Sequence, residues 1–144
     1  MTDWWLTKDG DKACLELYQR HYSAEKAYKD GRKRSQFVGP GYNIVLRTLR
    51  ADALFVWRDY IDDTMPKQEG VECAVFRNEG PFLSSELIRQ ADAIADHCWP
   101  GQRHYTKVSK EAVRSSNPGY CFLQAGWKRC GMTKGGLHLL ERLP

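Results

Sequence analysis

The sequence predicts a mixed α/β domain built on one central sheet, and three observations carry that expectation. Segments with helical spacing alternate with short apolar runs of strand length. One of those runs, Ala53-Leu54-Phe55-Val56-Trp57, is apolar without interruption, as a strand covered on both faces would be. Size is the third: 144 residues supply one hydrophobic core and too little chain for two, so residues 1–144 are expected to form a single domain.

The elements follow in order. Residues 11–28 predict a helix, because Cys14, Leu17, Tyr18, His21 and Tyr22 fall on one face of a 3.6-residue period. Lys29-Asp30-Gly31 ends it. A polar stretch then leads through Phe37-Val38 to Gly39-Pro40-Gly41, a turn signal. Strands are expected over Tyr42–Leu49, Ala53–Tyr60 and Val71–Phe76, with a polar loop at 62–70. After Pro81, Ser84-Ser85-Glu86 reads as a helix N-terminus. Leu87, Ile88, Ala91, Ile94 and Ala95 continue that helix at helical spacing, and Trp99-Pro100-Gly101 stops it. Arg103–Val108 predicts a strand, Ser109–Ala125 a helix broken near Asn117-Pro118-Gly119, and Trp127–Met132 with Leu137–Leu143 a terminal hairpin.

Hydrophobic residues make up 42% of the chain and charged ones 28%, which excludes a disordered composition. No apolar run approaches the roughly 20 residues of a membrane span, and the acidic N-terminus has no signal-peptide core. Five scattered cysteines without Cys-x-x-Cys spacing read as reduced thiols, so a cytoplasmic setting is expected and a zinc site is not. The net charge of +4 is unevenly placed. Residues 20–34 carry a net +4 and residues 101–142 a net +6, around an acidic middle. Such segregation suits a phosphate-bearing partner, nucleotide cofactor or nucleic acid, and equally a solvated basic surface.

The junction from Phe76 to Leu87 carries the functional reading. A strand enters a helix through Arg77-Asn78-Glu79-Gly80-Pro81-Phe82-Leu83-Ser84-Ser85, a glycine-containing turn with free backbone N–H groups. It resembles the phosphate turn (Arg/Gln)-x-x-Gly-x-(Gly/Ala) of the GNAT superfamily, the acyl-CoA-dependent N-acyltransferases. Arg77 to Gly80 match, while Phe82 stands where that family has a small residue. Downstream, Asn117 to Trp127 resembles the family's Asn, short helix and Gly-aromatic pair, with Phe122 where many members have a tyrosine acid. The resemblance spans about residues 40–142. Arg20-His21-Tyr22-Ser23 is also similar to the His-Tyr-Ser of Mom-like phage DNA-modification proteins. Ser115 to Trp127 resembles uncharacterised phage-encoded proteins of that type.

The resemblance implies a GNAT-like fold, acetyl-CoA or another acyl-CoA as cosubstrate, and transfer to an amine, such as one on a modified base of DNA inside a phage-infected host. A small-molecule or protein amine is the alternative within the class. A nucleic-acid-binding module on a catalytically degenerate GNAT scaffold is the alternative outside it. The chain would be a monomer or homodimer with no membrane association.

The resemblance assigns cofactor contacts to Ala74, Val75, Phe76, Arg77, Asn78, Glu79, Gly80, Ser84, Ser85, Asn117 and Cys121. Among the basic residues, the Arg103, Lys107, Lys110, Arg114 group is read as serving the CoA phosphates rather than a polymer. Glu72 is the candidate base, or else a solvent-facing strand carboxylate, and Asp59, Asp62 and Asp63 compare with it. His21 and Tyr22 serve the acceptor site or face the core. Of the neighbours His104 and Tyr105 only one can face a cleft, and Tyr105 is preferred. Tyr120 is the substitute for the missing acid at Phe122. Arg32, Lys33, Arg34 and Trp57 are the candidate substrate or nucleic-acid contacts.

Overall fold

The computed structural model describes residues 2–20, 31–32, 34–62, 65–109 and 119–144. In chain order the elements are β1 (Trp5–Thr7), α1 (Lys12–Gln19), β2 (Tyr42–Arg47), β3 (Ala53–Asp59), β4 (Val71–Asn78), α2 (Ser84–Cys98), β5 (His104–Val108), α3 (Tyr120–Gln124), β6 (Lys128–Met132) and β7 (His138–Arg142). Seven strands make one mixed sheet in the order β1-β2-β3-β4-β5-β7-β6. Among the described residues only β4 and β5 run parallel, joined by α2 in a crossover. Every other neighbouring pair is antiparallel. The molecule is therefore the mixed α+β domain expected from the pattern. Among the described residues no helix is long and apolar enough to cross a membrane.

The sheet is covered unequally. On one face Phe55, Trp57, Val71 and Leu140 pack with Leu87, Ile88, Ala91 and Ala95 of α2 and Phe122 of α3. On the other, Leu54, Val56 and Val75 pack with Cys14, Leu17 and Tyr18 of α1 and with Phe37 and Val38. The uninterrupted run in β3 thus serves both cores, one from its even positions and one from its odd positions. β1 escaped the sequence reading. It has three residues and no periodicity, and tertiary contacts hold it: Leu6 pairs with Leu46, and the indole of Trp4 donates to Leu87 O at 2.8 Å.

The first helix is described over Lys12–Gln19, with Arg20 as its C-cap; positions 21–28 of the expected helix lie outside the described residues. Asp11 caps it, accepting from the N–H groups of Ala13 and Cys14 at 3.0 and 3.1 Å. Its neighbours fix its charge. Burial works against the carboxylate, but the Thr7 hydroxyl, the Cys14 N–H and Arg47 outweigh it and hold the group at about 2. A carboxyl depressed in the fold adds stability above its unfolded value near 4, and loses that contribution as pH falls toward 2. Asp11→Ala is expected to cost about 1–2 kcal/mol at neutral pH. It should also flatten the loss of stability between pH 4 and 2, read by urea titration. An unchanged acid limb would show that Asp11 is not the group titrating there.

Candidate functional site

The parallel pair is short. Val71 pairs with His104, Glu72 with Tyr105 and Cys73 with Thr106, and there the ladder stops, although β4 runs on to Asn78 and β5 to Val108. The Thr106 hydroxyl closes its last rung by donating to Cys73 O at 2.9 Å. On its other edge β4 stays paired with β3 as far as Asn78. That ladder is irregular too: Val75 faces Val56 and Cys73 faces Trp57, so Ala74 is an extra residue on β4. A bulge leaves backbone groups unpaired and turns the strand. Beyond Cys73, then, no rung joins β4 to β5 among the described residues, which leaves a gap in the ladder.

The extra residue also sets what lines the gap. Residues 72 and 75 are an odd number apart and would point to opposite faces of a regular strand. With Ala74 bulged, Glu72 joins Val75 on the α1 face, where its register partners are Arg58 of β3 and Tyr105 of β5. A polar cluster results. Arg58 Nη2 donates to Glu72 Oε1 at 2.8 Å. Lys107 Nζ lies 3.6 Å from Glu72 Oε2 and donates to Asp62 Oδ2 at 2.7 Å. The Tyr105 hydroxyl donates to the same Asp62 oxygen at 2.8 Å. Arg58 also donates to Val38 O and stacks on the Tyr60 ring at 3.8 Å. Asp62 is 1% exposed and Glu72 5%. Burial, reinforced by the charge of Glu72, pushes the phenols of Tyr60 and Tyr105 far above their ordinary range. Both stay protonated near neutrality, so neither phenolate is on hand as a base. Burying two carboxylates and two cations together costs desolvation that such pairs rarely recover, which marks the cluster as a candidate site.

Beyond the gap, β4 enters α2 through a turn built by Asn78. Its Nδ2 donates to Phe82 O (2.7 Å) and Ser84 Oγ (2.9 Å), and its Oδ1 accepts from Gly80 N (3.0 Å). Glu79 N donates to Asp52 O at 2.7 Å. A Cβ at Gly80 would meet the Asp52 carboxylate, so a larger residue there needs that side chain to shift. The N-cap of α2 is Leu83, with no side-chain cap, rather than the serine the sequence implied. The first N–H groups of a 15-residue helix are thus left without a side-chain acceptor. Ser85 is buried, and Ser84 is tied to Asn78. The Glu79 carboxylate meets Arg20 and Arg77, which together hold it down at about 2.

Several expectations are corrected. Trp57 cannot touch a substrate: it is 0% exposed in the core on the α2 side, with Nε1 donating to Ala91 O at 2.9 Å. Arg103 and Lys107 do not form a phosphate patch. Arg103 binds Glu141 at 2.7 Å and Glu69 O at 3.0 Å, and Lys107 belongs to the cluster around Asp62. Glu72 is no solvent-facing carboxylate, and Asp62 is no loop-solvating one. Tyr105 and His104 do point to opposite faces; His104 lies buried beside Asp92 of α2. Phe122 is core, in edge contact with Phe76 (5.9 Å) and Trp127 (4.8 Å). Tyr120 is 56% exposed at the start of α3. Burial raises the Cys121 thiol, which leaves it a poor nucleophile. Ala74 and Phe76 are partly buried, and Val75 packs in the α1 core, so these three offer backbone rather than side chains. Arg32 is exposed and Arg34 donates to Gln36 O at 3.2 Å. His21, Tyr22, Lys33, Asp63, Lys110, Arg114 and Asn117 lie outside the described residues.

Sequence reasoning missed Arg20, Arg58 and Tyr60, and misassigned Lys107. For Lys107 a signal was present: it stands two residues after Tyr105 on one strand, hence on the same face. Compared with known proteins, the chain matches no family model, no curated protein and no solved structure.

Proposed function

We propose that this protein is an acyl-CoA-dependent N-acyltransferase on a GNAT-like fold, moving an acetyl-type group from acetyl-CoA to an amine. The observation that carries the reading is the end of the β4–β5 ladder at Cys73, directly before the Ala74 bulge, with Glu72 buried beside it. An extended acyl-pantetheine arm needs a backbone edge to run along, and β4 from Ala74 to Phe76 offers one on its β5 side. A diphosphate needs N–H groups to approach, and the start of α2, which has no side-chain cap, offers them.

In this reading the acyl-CoA supplies the activated thioester, and the chain supplies the rest. A backbone N–H freed at the bulge faces the carbonyl oxygen as it turns anionic. The amine nitrogen forms the new C–N bond while the C–S bond breaks. Glu72 takes the proton the amine releases, and Tyr120 or solvent protonates the departing sulfur. Arg58 and Lys107 hold the Glu72 carboxylate in place. For the acceptor we keep the amine on a modified DNA base, on the strength of the basic Arg32–Arg34 run in the sequence.

Isothermal titration with acetyl-CoA is expected to give saturable binding in the range of roughly 1 μM to 1 mM. Absence of binding up to millimolar concentration overturns the reading. Mass spectrometry of nucleosides from DNA incubated with protein and acetyl-CoA should then reveal an acylated base. Acylation found only on a small-molecule or protein amine would reassign the acceptor.

A further inference from the structure

The turn before α2 already holds an anion of its own. Glu79 accepts from Arg20 through Nε at 2.8 Å and Nη2 at 2.9 Å, a two-point grip, and from Arg77 Nε at 2.9 Å. Two guanidiniums thus converge on one carboxylate, on the same turn that leads to the uncapped N-terminus of α2. The carboxylate does not build the turn. Its own N–H bonds Asp52 O, and Asn78 ties the turn to Phe82, Ser84 and Gly80. All three charged side chains are partly exposed, at 51%, 38% and 29% for Arg20, Arg77 and Glu79, so the grip is accessible and exchangeable.

We infer that Arg20 and Arg77 form a phosphate site which Glu79 fills from within, and that a phosphate group of the nucleotide cofactor displaces the Glu79 carboxylate to bind there. The inference rests on the acyl-CoA reading for the identity of the ligand and adds an arginine from α1 to the turn. Planar guanidiniums that bind a carboxylate side-on bind phosphate oxygens in the same geometry. A phosphate brings more charge than the carboxylate it replaces, and two guanidiniums are there to meet it. The Glu79 carboxylate is ionised throughout the physiological range, so it competes at every working pH. Because Arg20 is the C-cap of α1, displacement also loosens the tie between α1 and the β4–α2 turn.

The test uses the full chain and two probes, inorganic pyrophosphate and acetyl-CoA, by isothermal titration. A site self-occupied nine times in ten binds its ligand about tenfold more weakly than a vacant one, so Glu79→Gln should tighten pyrophosphate binding about tenfold. Arg20→Ala and Arg77→Ala should each weaken it by a comparable factor. Glu86→Gln removes the same charge from the first turn of α2, and should change affinity less than twofold if charge alone is not the cause. The inference is overturned if Glu79→Gln matches Glu86→Gln, if Arg20→Ala binds as the parent does, or if no variant binds pyrophosphate. The same pattern with acetyl-CoA places the cofactor on this site. The pattern with pyrophosphate and no binding of acetyl-CoA leaves the phosphate site standing and removes the acyl-CoA reading.

Discussion

Asp92→Ala is expected to lower the unfolding free energy by about 3–5 kcal/mol, the range for breaking a buried polar pair from one side. Asp92 lies buried on α2 and serves two elements at once. Its Oδ1 is 2.7 Å from His104 Nδ1 of β5, which makes that ring nitrogen the one bearing hydrogen, since a carboxylate only accepts. Its Oδ2 accepts from the indole of Trp127 at 2.9 Å, just before β6. Trp127 and His104 both pack against Trp57, at 6.3 and 4.8 Å between ring centres. Alanine would strand two buried N–H donors and open space between three aromatic rings, and each effect alone is destabilising. The neighbouring pair of Arg142 with Asp96, at 2.9 and 3.0 Å, reaches the network from the solvent side, where Asp96 Oδ1 lies 3.4 Å from His104 Nε2 and so faces the other ring nitrogen rather than the two donors that Asp92 holds. Asp92→Asn should fall between, because one amide oxygen still accepts from one of the two donors. Urea unfolding followed by tryptophan fluorescence measures both. A cost for Asp92→Ala below about 1 kcal/mol, the net worth of one ordinary hydrogen bond, would contradict the network account.

That network and the cluster around Glu72 also mark where the sequence stops being legible. The helix from Leu87 to Ala95 and the strand from Ala53 to Trp57 could be read because each carries its own periodicity or its own unbroken apolar run, and both occur as expected. Residue pairs brought together by the sheet carry no such local mark. Glu72 meets Tyr105 only through a parallel register across α2, and it meets Arg58 only because Ala74 is bulged and resets the alternation of β4. Spacing alone would have put Glu72 and Val75 on opposite faces. β1 was invisible for a related reason: three residues hold no period, and Trp4 is anchored by a helix more than eighty positions away. The start of α2 is a different case. The serines look like caps, but the chain takes its N-cap at Leu83, and Asn78 claims the Ser84 hydroxyl. The phosphate turn was legible as a segment, while the arginine that grips it from α1 was not.

Glu72→Gln is expected to lower kcat/KM for acyl transfer by about 10²–10⁴, the usual worth of a positioned general base. Binding of acetyl-CoA should stay within about twofold, because the Glu72 side chain touches Arg58 and Lys107, neither of which is among the proposed cofactor contacts. Asp62 is the competing carboxylate, and its contacts argue against it. Its Oδ2 already takes both the Tyr105 hydroxyl and the Lys107 ammonium at short distance. Glu72 differs between its two oxygens: Oε1 is held by Arg58 at 2.8 Å, and among the described residues Oε2 has Lys107 at 3.6 Å. Oε2 is therefore the oxygen with room to accept a proton from an amine, and it sits two positions before the bulge. The variant should still fold. Lys107 keeps Asp62, and Arg58 keeps Val38 O and the Tyr60 ring, so neither cation is left without a contact. Circular dichroism checks this before any rate is compared. A base that must be ionised gives the parent protein an acid limb in its pH–rate profile, and the amide variant should lack that limb as well as the rate. Activity within threefold of the parent, with the acid limb intact, would move the base elsewhere and leave the cluster a structural one.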